Sequence, residues 1–206
     1  MNRILILCMA LLSISQAYSQ KTFVGVVKYK ITVEGSTENK TDSMMLVFDT
    51  NRVKIVMYLP DLKSMWYAEE REFVDDFIAN RSYKLSPDKK VETDSLKSSS
   101  IYVFRNTNRY GSVNNRLGFV YEVDPKTLSG QDIRKVQCVS SLEYFYPVRP
   151  DYAFLGYQPV VVDGRLVLDY TITQANGNRP RVYADQVIPM DNVARYFSDF
   201  NLPQRP

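Results

Sequence analysis

Apolar and polar residues alternate with a period of two along most of this chain. From Thr22 to Val33, Phe23, Gly25, Val27, Tyr29, Ile31 and Val33 fall on one face, and Lys28, Lys30 and Thr32 on the other. That pattern predicts a long half-buried strand. Beyond a polar turn at Glu34 to Lys40, Met44, Leu46 and Phe48 alternate with Met45, Val47 and Asp49, and Arg52 to Tyr58 returns with Val53, Ile55 and Met57 on its apolar side. Asp49-Thr50-Asn51 lies between the two runs. Asp and Asn accept tight-turn geometry, so a hairpin is expected.

The next segment, Asp61 to Ile78, has two readings. Leu62, Trp66, Phe73 and Phe77 can share a helical face behind Asp61. Equally, Met65 to Ala68 and Phe73 to Ala79 can be short strands around Glu69-Glu70-Arg71-Glu72, which the neighbouring strands favour. Tyr83 to Leu85 is strand-like, Ser86 to Ser100 reads as a polar surface excursion, and Ile101 to Arg105 as a short strand. Asn106 to Asn115 reads as a loop around Gly111. Gly118 to Val123 and Ile133 to Ser140 are further strands.

Tyr144 to Pro159 is crowded with Tyr, Phe and Pro. Proline denies a sheet ladder its donors, so a loop over a barrel mouth or a sheet edge is expected. Asp163-Gly164 sits between Val160–Val162 and the alternating run Leu166, Leu168, Tyr170, Ile172, a strong hairpin pattern. Asn176-Gly177-Asn178 turns the chain into a strand at Arg181 to Ala184. Asp191 is placed to cap a helix whose Val193, Tyr196, Phe197 and Phe200 share a face. Many short strands with turns between them predict a mainly β fold: an antiparallel half-open β-barrel or strongly curved sheet with one or two helices.

The first residues carry an address. Arg3 precedes an apolar core from Ile4 to Ile14, too short to span a bilayer, and Ala17-Tyr18-Ser19 offers small residues for cleavage. Residues 1–19 are expected to leave as a signal peptide, with 20–206 forming a single β-rich domain in the periplasm or outside the cell. Cys8 lies inside the apolar core behind Leu7, which is no lipobox, and no later segment is long and apolar enough for a transmembrane anchor.

Composition narrows the chemistry. Only Cys138 remains after cleavage, so no intrachain disulfide can form, which fits a bacterial envelope better than an animal secretory route. The chain has no histidine, which removes Ser-His-Asp and Cys-His catalysis and histidine metal sites. No cofactor or metal motif is present, and a formal charge of +3 without a basic cluster predicts no nucleic-acid partner. The pairs Asp75-Asp76 and Glu69-Glu70 are read as solvated surface, and Cys138 as a small buried hydrophobe.

The order of elements resembles a known group. Gly25-Val26-Val27-Lys28-Tyr29-Lys30-Ile31 opens it, and Asp49-Thr50-Asn51-Arg52-Val53 forms the hairpin. Leu155-Gly156-Tyr157, Asp163-Gly164, Val182-Tyr183-Ala184-Asp185 and Ile188-Pro189 follow. This resembles the GLPGLI-type uncharacterised exported proteins of Bacteroidetes, themselves similar to the LolA/LolB-type lipoprotein carriers. The resemblance implies a half-open barrel and carries over no catalytic residues. The expected function is non-catalytic binding or carriage of a lipid or other apolar ligand in the half-barrel. Met44, Leu46, Phe48, Val53, Ile55, Met57 and Trp66 are the candidate lining. The alternative is a cell-envelope module docking an outer-membrane protein partner through Tyr144 to Pro159. An enzyme working through carboxylates comes third.

Overall fold

The computed structural model describes residues 21–34, 42–59, 70–85, 90–97, 100–123, 133–155 and 158–200. Its main element is one antiparallel sheet that stays open. Strands β1 (Gly25–Glu34), β2 (Ser43–Phe48), β3 (Arg52–Tyr58), β4 (Glu70–Asp76), β5 (Arg81–Leu85) and β6 (Val91–Ser95) run in sequence to one edge. On the other side of β1 come β14 (Arg179–Pro189), β13 (Arg165–Gln174), β9 (Ile133–Phe145), β8 (Arg116–Val123) and β7 (Phe104–Val113), the second edge. The short β12 (Val161–Val162) pairs with β13, while β10 (Ala153–Phe154) and β11 (Gln158–Pro159) form a separate ribbon.

The expected β1 and the β2–β3 hairpin are present, with Val27 opposite Leu46, Tyr29 opposite Met44, and Leu46 opposite Ile55. The Asp163-Gly164 turn is also present. Both residues take positive φ (53° and 68°), the geometry that matches the twist of the flanking strands. Of the ambiguous segment, residues 70–76 form a strand; residues 61–69, with Trp66, lie outside the described residues.

Two expectations change, for one reason. Asn106 to Asn115 is not a loop but most of β7, closed by an Asn114-Asn115 turn with φ of 47° and 64°. Within the polar stretch at 86–100 lies β6, with all five residues exposed. Both are edge strands, and an edge open to water need not alternate. Charged side chains there also discourage pairing with another chain.

The sheet is covered on both sides. Over β1–β4, Val27, Tyr29, Met44, Leu46, Phe48, Val53, Ile55, Met57 and Phe73 form one apolar face. Residues 146–155 and 158–159 lie across it, with Tyr146, Tyr152 and Ala153 fully buried. The opposite face carries Val26, Val47 and Val74, covered by Val193, Phe197 and Phe200. These last two belong to a 3₁₀ helix, Ala194–Phe200, whose first amide is capped by Asn192 Oδ1 at 2.8 Å rather than by Asp191. Lys54 shares that face. It is buried, paired with Glu72 at 2.6 Å and set 5.3 Å from the Phe200 ring. A second core, with Tyr121, Cys138, Val167 and Tyr170, lies on one side of β8, β9 and β13. Burial pushes the Cys138 thiol far above its ordinary range, consistent with an inert packing role.

Gly118 marks a close approach between β8 and β9. A Cβ there would lie 2.4 Å from the Ser140 carbonyl oxygen and 2.7 Å from Val139 Cγ1. Gly118→Ala should therefore destabilise the fold by at least about 2 kcal/mol in urea unfolding, as overpacking does. Gly164→Ala, with no neighbour nearer than 3.9 Å, should cost only the left-handed backbone term of about 1–2 kcal/mol.

Candidate functional site

Six of the seven predicted lining residues come together. Met44, Leu46 and Phe48 on β2 and Val53, Ile55 and Met57 on β3 share one buried cluster, because residues two apart on paired strands face the same way. That face is occupied by the chain itself. Phe48 meets Tyr146 edge-to-face at 5.2 Å, Phe73 meets Phe154 at 5.1 Å, and Phe77 meets Tyr152 at 5.0 Å. Gln158 Nε2 donates to Met44 Sδ at 3.6 Å. The covering segment is pinned by tyrosine hydroxyls: Tyr146 donates to the Asp49 carbonyl at 2.7 Å and Tyr152 to Asp75 Oδ2 at 2.6 Å. With these rings turned inward, Tyr146 and Tyr152 offer nothing to an external partner.

Followed across the strands, this face changes character. One cross-strand row runs Leu46, Ile55, Phe73, Lys84, Glu92; the next runs Phe48, Val53, Asp75, Ser82, Asp94. The apolar wall on β2 and β3 becomes a polar one on β5 and β6. Where it changes there is a pocket of about 380 Å³, lined by Phe73, Asp75, Ser82, Lys84, Lys97 and Leu155 among others. Leu155 is 40% exposed and holds a left-handed backbone (φ 52°). That conformation is costly for a side chain with a Cβ, and it places strain at the pocket's rim.

Both residues of the Asp75-Asp76 pair, expected on the solvated surface, are buried, and Asp75 the more deeply. It is not solvated surface: it is 2% exposed, accepting from Tyr152 and from Ser82 Oγ at 2.7 Å. Burial raises its carboxyl above the ordinary range, and the two hydroxyl donors partly oppose that shift. Asp76 is buried too, but it faces the following turn and accepts from the Ile78 and Ala79 amides. The alternation argument for opposite faces therefore holds, while its corollary of exposure does not. The partner, Tyr152, sits 77 positions away, and no local pattern announces it. Among the described residues no group of His, Cys, Asp or Glu is arranged to hold a metal ion. Nor is any helix there long and apolar enough to cross a membrane.

The architecture is that of an open antiparallel sheet covered by its own connections, and at the level of fold it is shared with PNGF-II. The chain matches PNGF-II in two crystal forms, with TM-scores of 0.52 and 0.51 at 14% and 13% identity, covering 88% and 87% of this chain. It spans about 30% of the length of those PNGF-II chains. A LolA superfamily protein from Nitrosomonas europaea also matches, with a TM-score of 0.37 and 10% identity over 87% of this chain and 91% of that one. No family model and no curated protein matches the sequence.

The Asp75 carboxyl makes stability depend on pH in a defined direction. Its folded pKa lies above the unfolded value, so the contribution from its protonated form is present at low pH and lost as pH rises through the raised pKa. Asp75→Asn should flatten that part of the stability–pH curve. Tyr152→Phe removes a donor to the carboxylate and should cost about 2 kcal/mol near neutral pH, and less in acid. Urea unfolding across the acid-to-neutral range measures both.

Proposed function

We propose that this protein is a non-catalytic binding protein of the bacterial periplasm. It holds an amphipathic ligand, a lipid or another molecule with an apolar body and a polar end, beside Phe73 and Asp75. The observation that carries this reading is the in-register change from apolar to polar along one face of β2–β6, with a pocket at the change. An apolar body against Phe73 and Leu155 gains roughly 25 cal/mol for each Å² removed from water. A polar end meets Ser82, Thr93, Ser95 and Lys97, beside Asp94 and the Lys84–Glu92 pair. A volume of about 380 Å³ suits one ligand of modest size.

A longer ligand would displace Phe154 and Leu155 from Phe73 and reach the wall of Met44, Leu46, Phe48, Val53, Ile55 and Met57. The strained Leu155 is the point at which such displacement costs least, because leaving the left-handed conformation returns part of its energy. The leader-like start of the chain, the single cysteine beyond it and the resemblance to exported carrier-like proteins support the periplasmic address.

Titration with a dansyl-labelled fatty acid, alongside extraction of lipid from protein purified out of its own envelope, tests the reading. Saturable binding with a Kd of about 1–10 μM is expected. Leu155→Gly removes the apolar rim and accepts the backbone geometry freely, so it should weaken binding about tenfold with the fold intact. A protein that carries no lipid and gives no saturable signal would sink the proposal.

A further inference from the structure

We infer that the amphipathic ligand proposed to lie beside Phe73 carries an uncharged, hydroxyl-rich polar end, and this stands on that proposed site. The head is glyceryl or glycosyl rather than a carboxylate, a phosphate or an amine. Sheet register sets the polar groups it meets. Lys84 on β5 is the cross-strand neighbour of Phe73, and Glu92 on β6 that of Lys84; Ser82 and Asp94 continue the adjacent row from Asp75. Neighbouring strands stand about 4.8 Å apart, so β6 lies roughly 10 Å from β4, which leaves room for a small head between the Phe73 ring and the sheet edge. All five residues of β6 are exposed, so that head sits where the pocket opens to water.

The charges at this end of the pocket offset one another. Lys84 pairs with Glu92 at 3.4 Å. Asp75 has both carboxyl oxygens engaged, Oδ2 by the Tyr152 hydroxyl at 2.6 Å and Oδ1 by Ser82 Oγ at 2.7 Å, so those two donors rather than a ligand answer its charge. Asp94 and Lys97 remain, one of each sign, and neither forms an ion pair among the described residues. Asp94 Oδ1 takes the Ser95 amide at 2.7 Å, which leaves Oδ2 as an acceptor, and the Lys97 ammonium is a donor only. An anionic head drawn to Lys97 meets Asp94 and Glu92 at the same edge. A cationic head drawn to Asp94 meets Lys97 and Lys84. For either, the attraction is cancelled within the site, while the head still gives up part of its hydration beside an apolar wall. A hydroxyl group both donates and accepts. A head with several of them donates to Asp94 and accepts from Lys97, each bond assisted by charge, and leaves the Lys84–Glu92 pair intact. A glyceride and a glycolipid share this chemistry.

Displacement of the dansyl-labelled fatty acid by ligands of one tail length, monolauroyl glycerol, dodecyl glucoside, lauric acid and dodecylamine, tests the head. At neutral pH at least one of the two uncharged ligands should displace the probe at about tenfold lower concentration than lauric acid or dodecylamine. The stronger of the two assigns the head: the glyceride a glyceryl group, the glucoside a glycosyl one. Asp94→Asn leaves Lys97 unopposed and should shift the preference about threefold toward lauric acid. Lys97→Gln leaves Asp94 unopposed and should shift it by a similar factor toward dodecylamine. Both residues are exposed, so the melting temperature should hold, and a general loss of structure would not move the two variants in opposite directions. Lauric acid or dodecylamine displacing the probe as well as the uncharged ligands, or variants that leave the order unchanged, overturns the inference and leaves the proposed function standing. A probe that never binds overturns both.

Discussion

An open antiparallel sheet cannot bury its own apolar face, and that constraint organises this molecule. A closed barrel would meet it by wrapping the face inward, whereas here β6 and β7 end as separate edges. The face of β1–β4 is covered instead by residues 146–155 and 158–159, which continue from the end of β9 and carry prolines that cannot donate to the main ladder. Its fit rests on aromatic rings meeting edge-to-face and on two tyrosine hydroxyls that reach the Asp49 carbonyl and the Asp75 carboxyl. Each ring buries a large apolar area while its hydroxyl satisfies a polar group that would otherwise be stranded. Tyr29 does the same between β1 and β13, donating to the buried Val167 carbonyl at 2.7 Å.

The placing of polar groups follows from register rather than from local motifs. On one face of β2–β6, two-residue periodicity carries apolar side chains to Phe73 and then polar ones to β6. In the other half of the sheet, the shift between Val167 and Asp169 sets which residues share a side: Leu166 and Leu168 join the main core, while Val167 and Tyr170 join the second. Asp169 consequently aligns with Val139 and Tyr183 and pairs with Arg181. A regular strand would place Val167 and Asp169 on one side, and Asp169 would lose its place beside Arg181.

The face under the 3₁₀ helix shows how a charge is tolerated inside such a fold. Lys54 is buried because Glu72 stands beside it and Phe200 lies over it, while Arg52 sits 4.9 Å from the Phe197 ring. Buried charges persist only when paired, and here aromatic faces supply part of the compensation. The helical spacing of Phe197 and Phe200 was readable in sequence. Their cationic partners were not, because those lie about 145 positions earlier on another strand.

Local chemistry, by itself, determined the class of fold, the β2–β3 and Asp163-Gly164 hairpins and the mutual facing of Met44, Leu46, Phe48, Val53, Ile55 and Met57. Period-two patterning and turn residues act over a few positions, so a linear reading captures them. The edge strands β6 and β7 escaped it because water on one side relaxes the alternation that marks a strand. Burial of Asp75 and the gathering of Arg109, Arg179, Arg181 and Asp169 escaped it for a different reason. Both depend on which strands lie side by side, and the second also on bulges that shift register in β7 and β13; those are fixed only when distant segments pack.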